Sequence, residues 1–149
     1  MYTDIRNREE TRRMNWEYSC GAIVFTRRAG QILYVVVQEQ GGAYSFPKGH
    51  MEGDETEIET ARREILEETG LQPEFLPGFR LQDEYALREK PGTKKRVTYF
   101  LAESGDEPMT AREGEIQRIQ LLPYEQALAL FEHENQRRIL TSAHEFLKK

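Results

Sequence analysis

Three glutamates, Glu64, Glu67 and Glu68, are separated by steps of three and four in the acidic run Gly49 to Leu71, GHMEGDETEIETARREILEETGL. On a helix those steps place the carboxylates on one shared face. Like charges so placed destabilise a helix by about 0.2–0.5 kcal/mol per pair. Hard divalent cations take oxygen ligands, and Mg2+ is typically held by a few carboxylates together with waters and substrate phosphates. The face therefore reads as a magnesium platform. A merely solvated acidic face is the alternative, in which Arg63 only pairs with Glu67 one turn on.

The element that must position these groups is a helix with legible ends. Thr56 followed by Glu59 makes a capping box, and Gly70 after the last turn makes a C-terminal stop. Ile58, Ala61 and Ile65 fall at helical spacing and are expected to dock on a core. Just upstream, Tyr44 to Phe46 is a short strand-like piece leading into Pro47-Lys48-Gly49-His50. Gly49 allows the backbone to approach an ion or ligand closely. Lys48 could meet a phosphate as a compact point charge or be an ordinary surface lysine. His50 reads as a hydrogen-bonding partner or a substrate contact.

The whole pattern carries more than its parts. Gly49, Glu55 six residues on, Arg63-Glu64, two apolar residues, Glu67-Glu68, Thr69-Gly70 and Leu71 match the Nudix signature at every defined position. The chain thus resembles the Nudix hydrolases. That resemblance implies a loop–helix–loop that binds Mg2+ or Mn2+ and hydrolyses a nucleoside diphosphate linked to another moiety. It implies Glu64, Glu67 and Glu68 as metal ligands with the Gly49 carbonyl beside them, and Arg63 as the residue that orients the glutamates. The general base varies within the family, leaving Glu67 and Glu115 as candidates here. Glu115 enters because it opens an extended segment after a flexible loop.

Three further stretches resemble the asymmetrical dinucleoside tetraphosphatases: Tyr44 to His50, Gly78-Phe79-Arg80 with Tyr85, and Lys95 to Ala102. That likeness implies Tyr85 stacking on a nucleobase and a lysine, Lys95 or Lys94, contacting phosphate. It implies a small-molecule nucleoside polyphosphate as substrate, above all diadenosine tetraphosphate cut to ATP and AMP. Other readings are a Nudix pyrophosphatase for nucleoside triphosphates, oxidised nucleotides, capped RNA 5′ ends or inositol pyrophosphates, and a nucleotide-sensing module without turnover. Loss of turnover normally goes with lost glutamates, and every signature glutamate is present.

The rest of the chain sets the frame. Its 149 residues suit one compact domain, with Met1 to Asn15 a charged tail or edge strand and residues 16–149 the Nudix domain. Ala22 to Phe25 and Ile32 to Val37 read as a hairpin around Arg27 to Gly30, and Val97 to Ala102 as a further strand. Gly78 to Tyr85 and Glu115 to Leu122 look extended. A helix is expected with Pro123 in its first turn and running to about Phe131, and another from Asn135 to Leu147. Strands on both sides of a central helix indicate an α/β domain, which the resemblance makes an α/β/α sandwich around a mixed sheet. Arg88, Lys94, Lys95 and Arg96 form the main basic cluster, facing either an oligophosphate or solvent. A net charge of −5 argues against general nucleic-acid coating. The single Cys20 excludes an intramolecular disulfide, and no apolar run approaches a membrane span. With no signal-peptide centre, a soluble cytoplasmic protein is expected. His133 and His144 fit surface or helix-end positions better than a metal site.

Overall fold

The computed structural model describes residues 15–149. The expectation for Met1 to Asn15 lies outside the described residues, apart from Asn15, which opens the first strand. The elements run β1 (Asn15–Arg28), β2 (Gln31–Glu39), β3 (Tyr44–Ser45), β4 (Lys48–His50), α1 (Glu57–Thr69), β5 (Glu74–Phe75), β6 (Leu81–Ala86), β7 (Thr93–Glu103), β8 (Ile116–Pro123), α2 (Tyr124–Leu130) and α3 (Glu134–Lys148).

β1 is the axis of one mixed sheet. Its middle, from Ser19 to Thr26, is buried on both faces, as an interior strand covered by helices must be. It runs parallel to β7 from Asn15↔Thr93 to Phe25↔Glu103. On its other side it pairs with β2 only from Phe25↔Tyr34 to Arg28↔Gln31, around a two-residue turn in which Ala29 and Gly30 take φ values of 50° and 78°. Further back, β4 takes over, with Cys20 opposite Gly49. β2 meanwhile pairs with β3 and β8. The sheet therefore forks between β1 and β2, and the loop carrying Pro47-Lys48-Gly49 enters the fork.

Alternation along β1 divides the core into two layers. Cys20, Ala22 and Val24 face α1 and pack with Ala61, Ile65 and Phe100. Ile23 and Phe25 face α2 and α3 and pack with Phe46, Tyr99, Phe131, Ile139 and Leu140. The result is the expected α/β/α sandwich.

Some local expectations change. Ile58 is exposed, while Thr60, Ala61, Glu64, Ile65 and Glu68 form the buried side of α1. The helix is rotated so that two of its glutamates lie against the sheet, which moves Ile58 off the core. Pro123 ends β8 and precedes α2 instead of lying in its first turn. His133 is exposed and precedes α3. His144 ties α3 to the sheet: its Nδ1 is 2.7 Å from Tyr34 Oη, and its ring stacks on Tyr124 at 4.0 Å. No helix among the described residues is long and apolar enough to cross a membrane.

Candidate active site

Helix α1 is held at both ends by the groups its sequence supplies. Glu59 N–H donates to Thr56 Oγ1 at 3.2 Å, and Thr56 N–H donates to Glu59 Oε1 at 2.8 Å. At the other end Gly70 adopts φ 77° and donates to the Leu66 carbonyl at 2.8 Å. So anchored, the helix presents Glu64 and Glu68 to β4. A Cβ on Gly49 would collide with the Glu64 carboxylate, so glycine is required for that approach. One residue earlier, Lys48 N–H donates to Glu68 Oε1 at 3.2 Å.

Arg63 organises the cluster. It donates through Nε to Glu55 Oε2 at 2.7 Å and through one terminal nitrogen to Glu64 Oε1 at 2.8 Å and Glu67 at 3.3 Å. Its other terminal nitrogen reaches the His50 carbonyl at 2.8 Å. Glu55 is the anchor of this arrangement, and sequence reasoning gave it no role. It also accepts from Glu52 N–H and Thr60 Oγ1, both at 2.9 Å. Led by the Arg63 hydrogen bond, these contacts hold its carboxyl down to about 2. The same carboxylates push the Arg63 guanidinium further up.

Glu64 and Glu68 behave in the opposite way. Burial raises both, Glu64 against the pull of Arg63, and Glu68 to about 7 against the Lys48 N–H. Two buried carboxylates resisting ionisation, with the more exposed Glu67 and the Gly49 backbone alongside, form an oxygen donor set that fits a hard divalent ion. Such an ion would favour their charged forms. Among the described residues no three acidic, His or Cys side chains converge on one point as they stand. Arg63 lies between Glu55, Glu64 and Glu67 and pairs with an oxygen of each.

On the opposite face of β4 lies a cleft of about 470 Å³, lined by Glu39, Tyr44, Lys48, Asp83, Tyr85, His133 and Asn135 among others. Lys48 Nζ reaches Glu39 Oε1 there at 3.4 Å. The β6–β7 register pairs Tyr85 with Lys95, which puts both side chains on this face. Burial and then Lys48 depress the Lys95 ammonium, two cations crowded together. Burial and then Lys95 depress His50 as well. Lys94, one position away, points to the other face, where its Nζ lies 5.9 Å from the Trp16 ring, and Arg96 lies 4.9 Å from the same ring. The basic cluster is therefore divided between the two faces, and Arg88 stays exposed beside the β6–β7 turn.

The Ser104–Gly114 loop docks on the end of α1 through Thr110 N–H to the Thr69 carbonyl at 2.8 Å. It delivers Arg112, which no local pattern announces. Arg112 lies 3.1 Å from Glu67 Oε2 and 3.3 Å from Glu115 Oε2, so one guanidinium links the two candidate bases.

Comparison with known proteins agrees with this geometry. The NUDIX domain family profile matches residues 17–143. The asymmetrical bis(5′-nucleosyl)-tetraphosphatases of Mus musculus and Rattus norvegicus are 33% and 34% identical over 141 residues, spanning 87% of this chain and 94% of each relative. An RNA pyrophosphohydrolase of Xanthomonas oryzae is 35% identical over 97 residues, covering 57% of this chain and 47% of that protein. Among solved structures, the binary complex of a C. elegans Ap4A hydrolase superposes with a TM-score of 0.81 at 22% identity, covering 89% of this chain and 98% of that one. With the complete signature running from β4 through α1, its carboxylates against β4 and this profile across most of the chain, the protein belongs to the Nudix hydrolase family.

Proposed function

We propose that this chain cleaves dinucleoside tetraphosphates asymmetrically, with diadenosine tetraphosphate giving ATP and AMP. One observation carries the reading: a single short strand, β4, serves both halves of a site. Its Lys48 N–H and Gly49 backbone meet Glu68 and Glu64, while the Lys48 side chain lines the cleft that holds Tyr85. A polyphosphate could pass over that strand with its nucleoside in the cleft. The extent of the match to the rodent tetraphosphatases supports the same substrate class.

Glu64, Glu67 and Glu68 with the Gly49 carbonyl would hold Mg2+ or Mn2+. When bound, such an ion neutralises phosphate oxygens and acidifies a coordinated water. Tyr85 stacks on one base, and Lys48 and Lys95 receive the phosphate chain as paired cations. Lys95, not Lys94, takes this part because it shares the Tyr85 face. His50, exposed on β4 and close enough to Lys95 for their charges to interact, joins the phosphate contacts. Glu67 or Glu115 accepts the proton of the attacking water, whose oxygen bonds to phosphorus as the bridging P–O bond breaks towards the leaving nucleotide. Arg112 keeps both carboxylates within reach of the platform. The single cysteine fits a reducing, cytoplasmic setting.

The test is chromatography of an early time point with diadenosine tetraphosphate and Mg2+. Equal ATP and AMP are expected. ADP as the sole product rules out asymmetrical attack. Inert dinucleotide alongside rapid turnover of a triphosphate-ended RNA would move the chain to the pyrophosphohydrolase class, which its partial likeness to the Xanthomonas enzyme makes the second reading.

A further inference from the structure

The cleft contains a polar pair that the hydrolytic chemistry does not use. Asp83 and Tyr85 are two residues apart on β6, so both side chains leave the same face of the sheet. Asn135, in the first turn of α3, donates from Nδ2 to Asp83 Oδ1 at 2.7 Å. Arg138 donates to the Asn135 side-chain oxygen Oδ1 at 3.4 Å, so both partners orient the amide with its nitrogen towards Asp83. Burial raises the Asp83 carboxyl, and the Asn135 hydrogen bond opposes that rise and favours the ionised form. A carboxylate has about four acceptor sites, and the Asn135 amide and the Glu84 backbone N–H take two of them. Acceptor capacity on Asp83 and the second N–H of Asn135 remain within the cleft that Tyr85 also lines.

A purine stacked on Tyr85 would turn its polar edge to this pair. Guanine presents N1–H and N2–H2 as adjacent donors, which match the two oxygens of a carboxylate, and its O6 can accept from the asparagine N–H. Adenine presents one donor, N6–H2, beside the N1 lone pair, which would face a carboxylate oxygen. We propose that Asp83, positioned by Asn135, reads the base edge and makes the cleft select guanine over adenine. This rests on the cleft being the nucleoside site; the reaction is unchanged, and what is added is which end of a mixed substrate is held.

The experiment compares kcat/KM for diguanosine and diadenosine tetraphosphate with Mg2+, and resolves the products of the mixed adenosine–guanosine compound. The expected preference for the guanine substrate is about tenfold, in the range of a bidentate base contact. The mixed compound should yield mainly one of its two product pairs, ATP with GMP or AMP with GTP. Asp83→Ala should bring the guanine-to-adenine ratio close to one and the two product pairs close to equal. Asn135→Ala, which leaves the carboxylate in place but frees it, should reduce the ratio part-way. A wild-type ratio near one overturns the proposal. So does a parallel loss on both substrates in the variants, which would make the pair only a tie between α3 and β6. Cleavage of neither dinucleotide removes the hydrolytic reading itself, and this inference with it.

Discussion

Arg63 and Glu68 divide the work of the carboxylate cluster. Arg63 supplies the only cation seen in contact with Glu55 and Glu64 among the described residues, and it also reaches the His50 carbonyl. Hydrogen bonds to charged groups contribute about 1.5–3 kcal/mol, so Arg63→Ala should destabilise the fold by about that much and leave Glu64 without an organic partner. Urea unfolding without metal would measure it; an unchanged midpoint would mean the network is ornamental. Glu68→Gln keeps shape and acceptor but removes a buried charge. We expect at least about a hundredfold loss of turnover, since even outer-shell changes at metal sites cost about 10–100-fold. Its melting temperature should hold or rise, because one member of a like-charge set is gone. Wild-type turnover at saturating Mg2+ would show that the carboxylate does not serve the ion.

At the scale of elements, α1 and α3 are fastened by different physics. The α1 capping box satisfies backbone N–H groups locally, so Thr56→Ala should cost about 1 kcal/mol, read as a shift of the denaturation midpoint. α3 is fastened through His144 to Tyr34 and Tyr124. Burial, with Lys148 nearby, depresses the His144 imidazole below 6.5. A histidine whose pKa is lower in the folded state is favoured neutral there. Its contribution is complete above the unfolded value of 6.5 and is lost as pH falls through the depressed folded value. Melting temperature should therefore drop as pH goes from 7 to 5. His144→Gln, which retains a polar partner for Tyr34, should show a shallower fall; parallel curves would assign the acid sensitivity to other groups.

For the molecule as a whole, the forked sheet brings an acidic helix and an aromatic cleft that carries Lys48 to opposite sides of one strand. An ion that binds only the folded chain stabilises it by mass action, by about 2.7 kcal/mol at a hundred times its dissociation constant. Mg2+ should accordingly raise the melting temperature, and excess chelator should stop hydrolysis. Full activity in chelator would remove the ion from the mechanism.

Much of this was legible before any coordinates. The α1 boundaries, the glutamate face and the hairpin strands follow from rules that operate within one or two turns of chain, and the signature has fixed internal gaps. The register of Ile58 was misread because helical spacing defines a stripe but not its rotation, and here burial of Glu64 and Glu68 against β4 outweighs docking of one more isoleucine. Lys94 and Lys95 are equivalent on paper; only pairing of Tyr85 with Lys95 decides which of them shares the Tyr85 face of the sheet. Arg112 on Glu67, Asn135 on Asp83 and Tyr34 on His144 join residues 45, 52 and 110 positions apart. No local pattern encodes such contacts. The alternation and caps of this sequence determine which elements form and which residues carry charge, whereas the fork of the sheet and the rotation of its helices decide which of those charges meet.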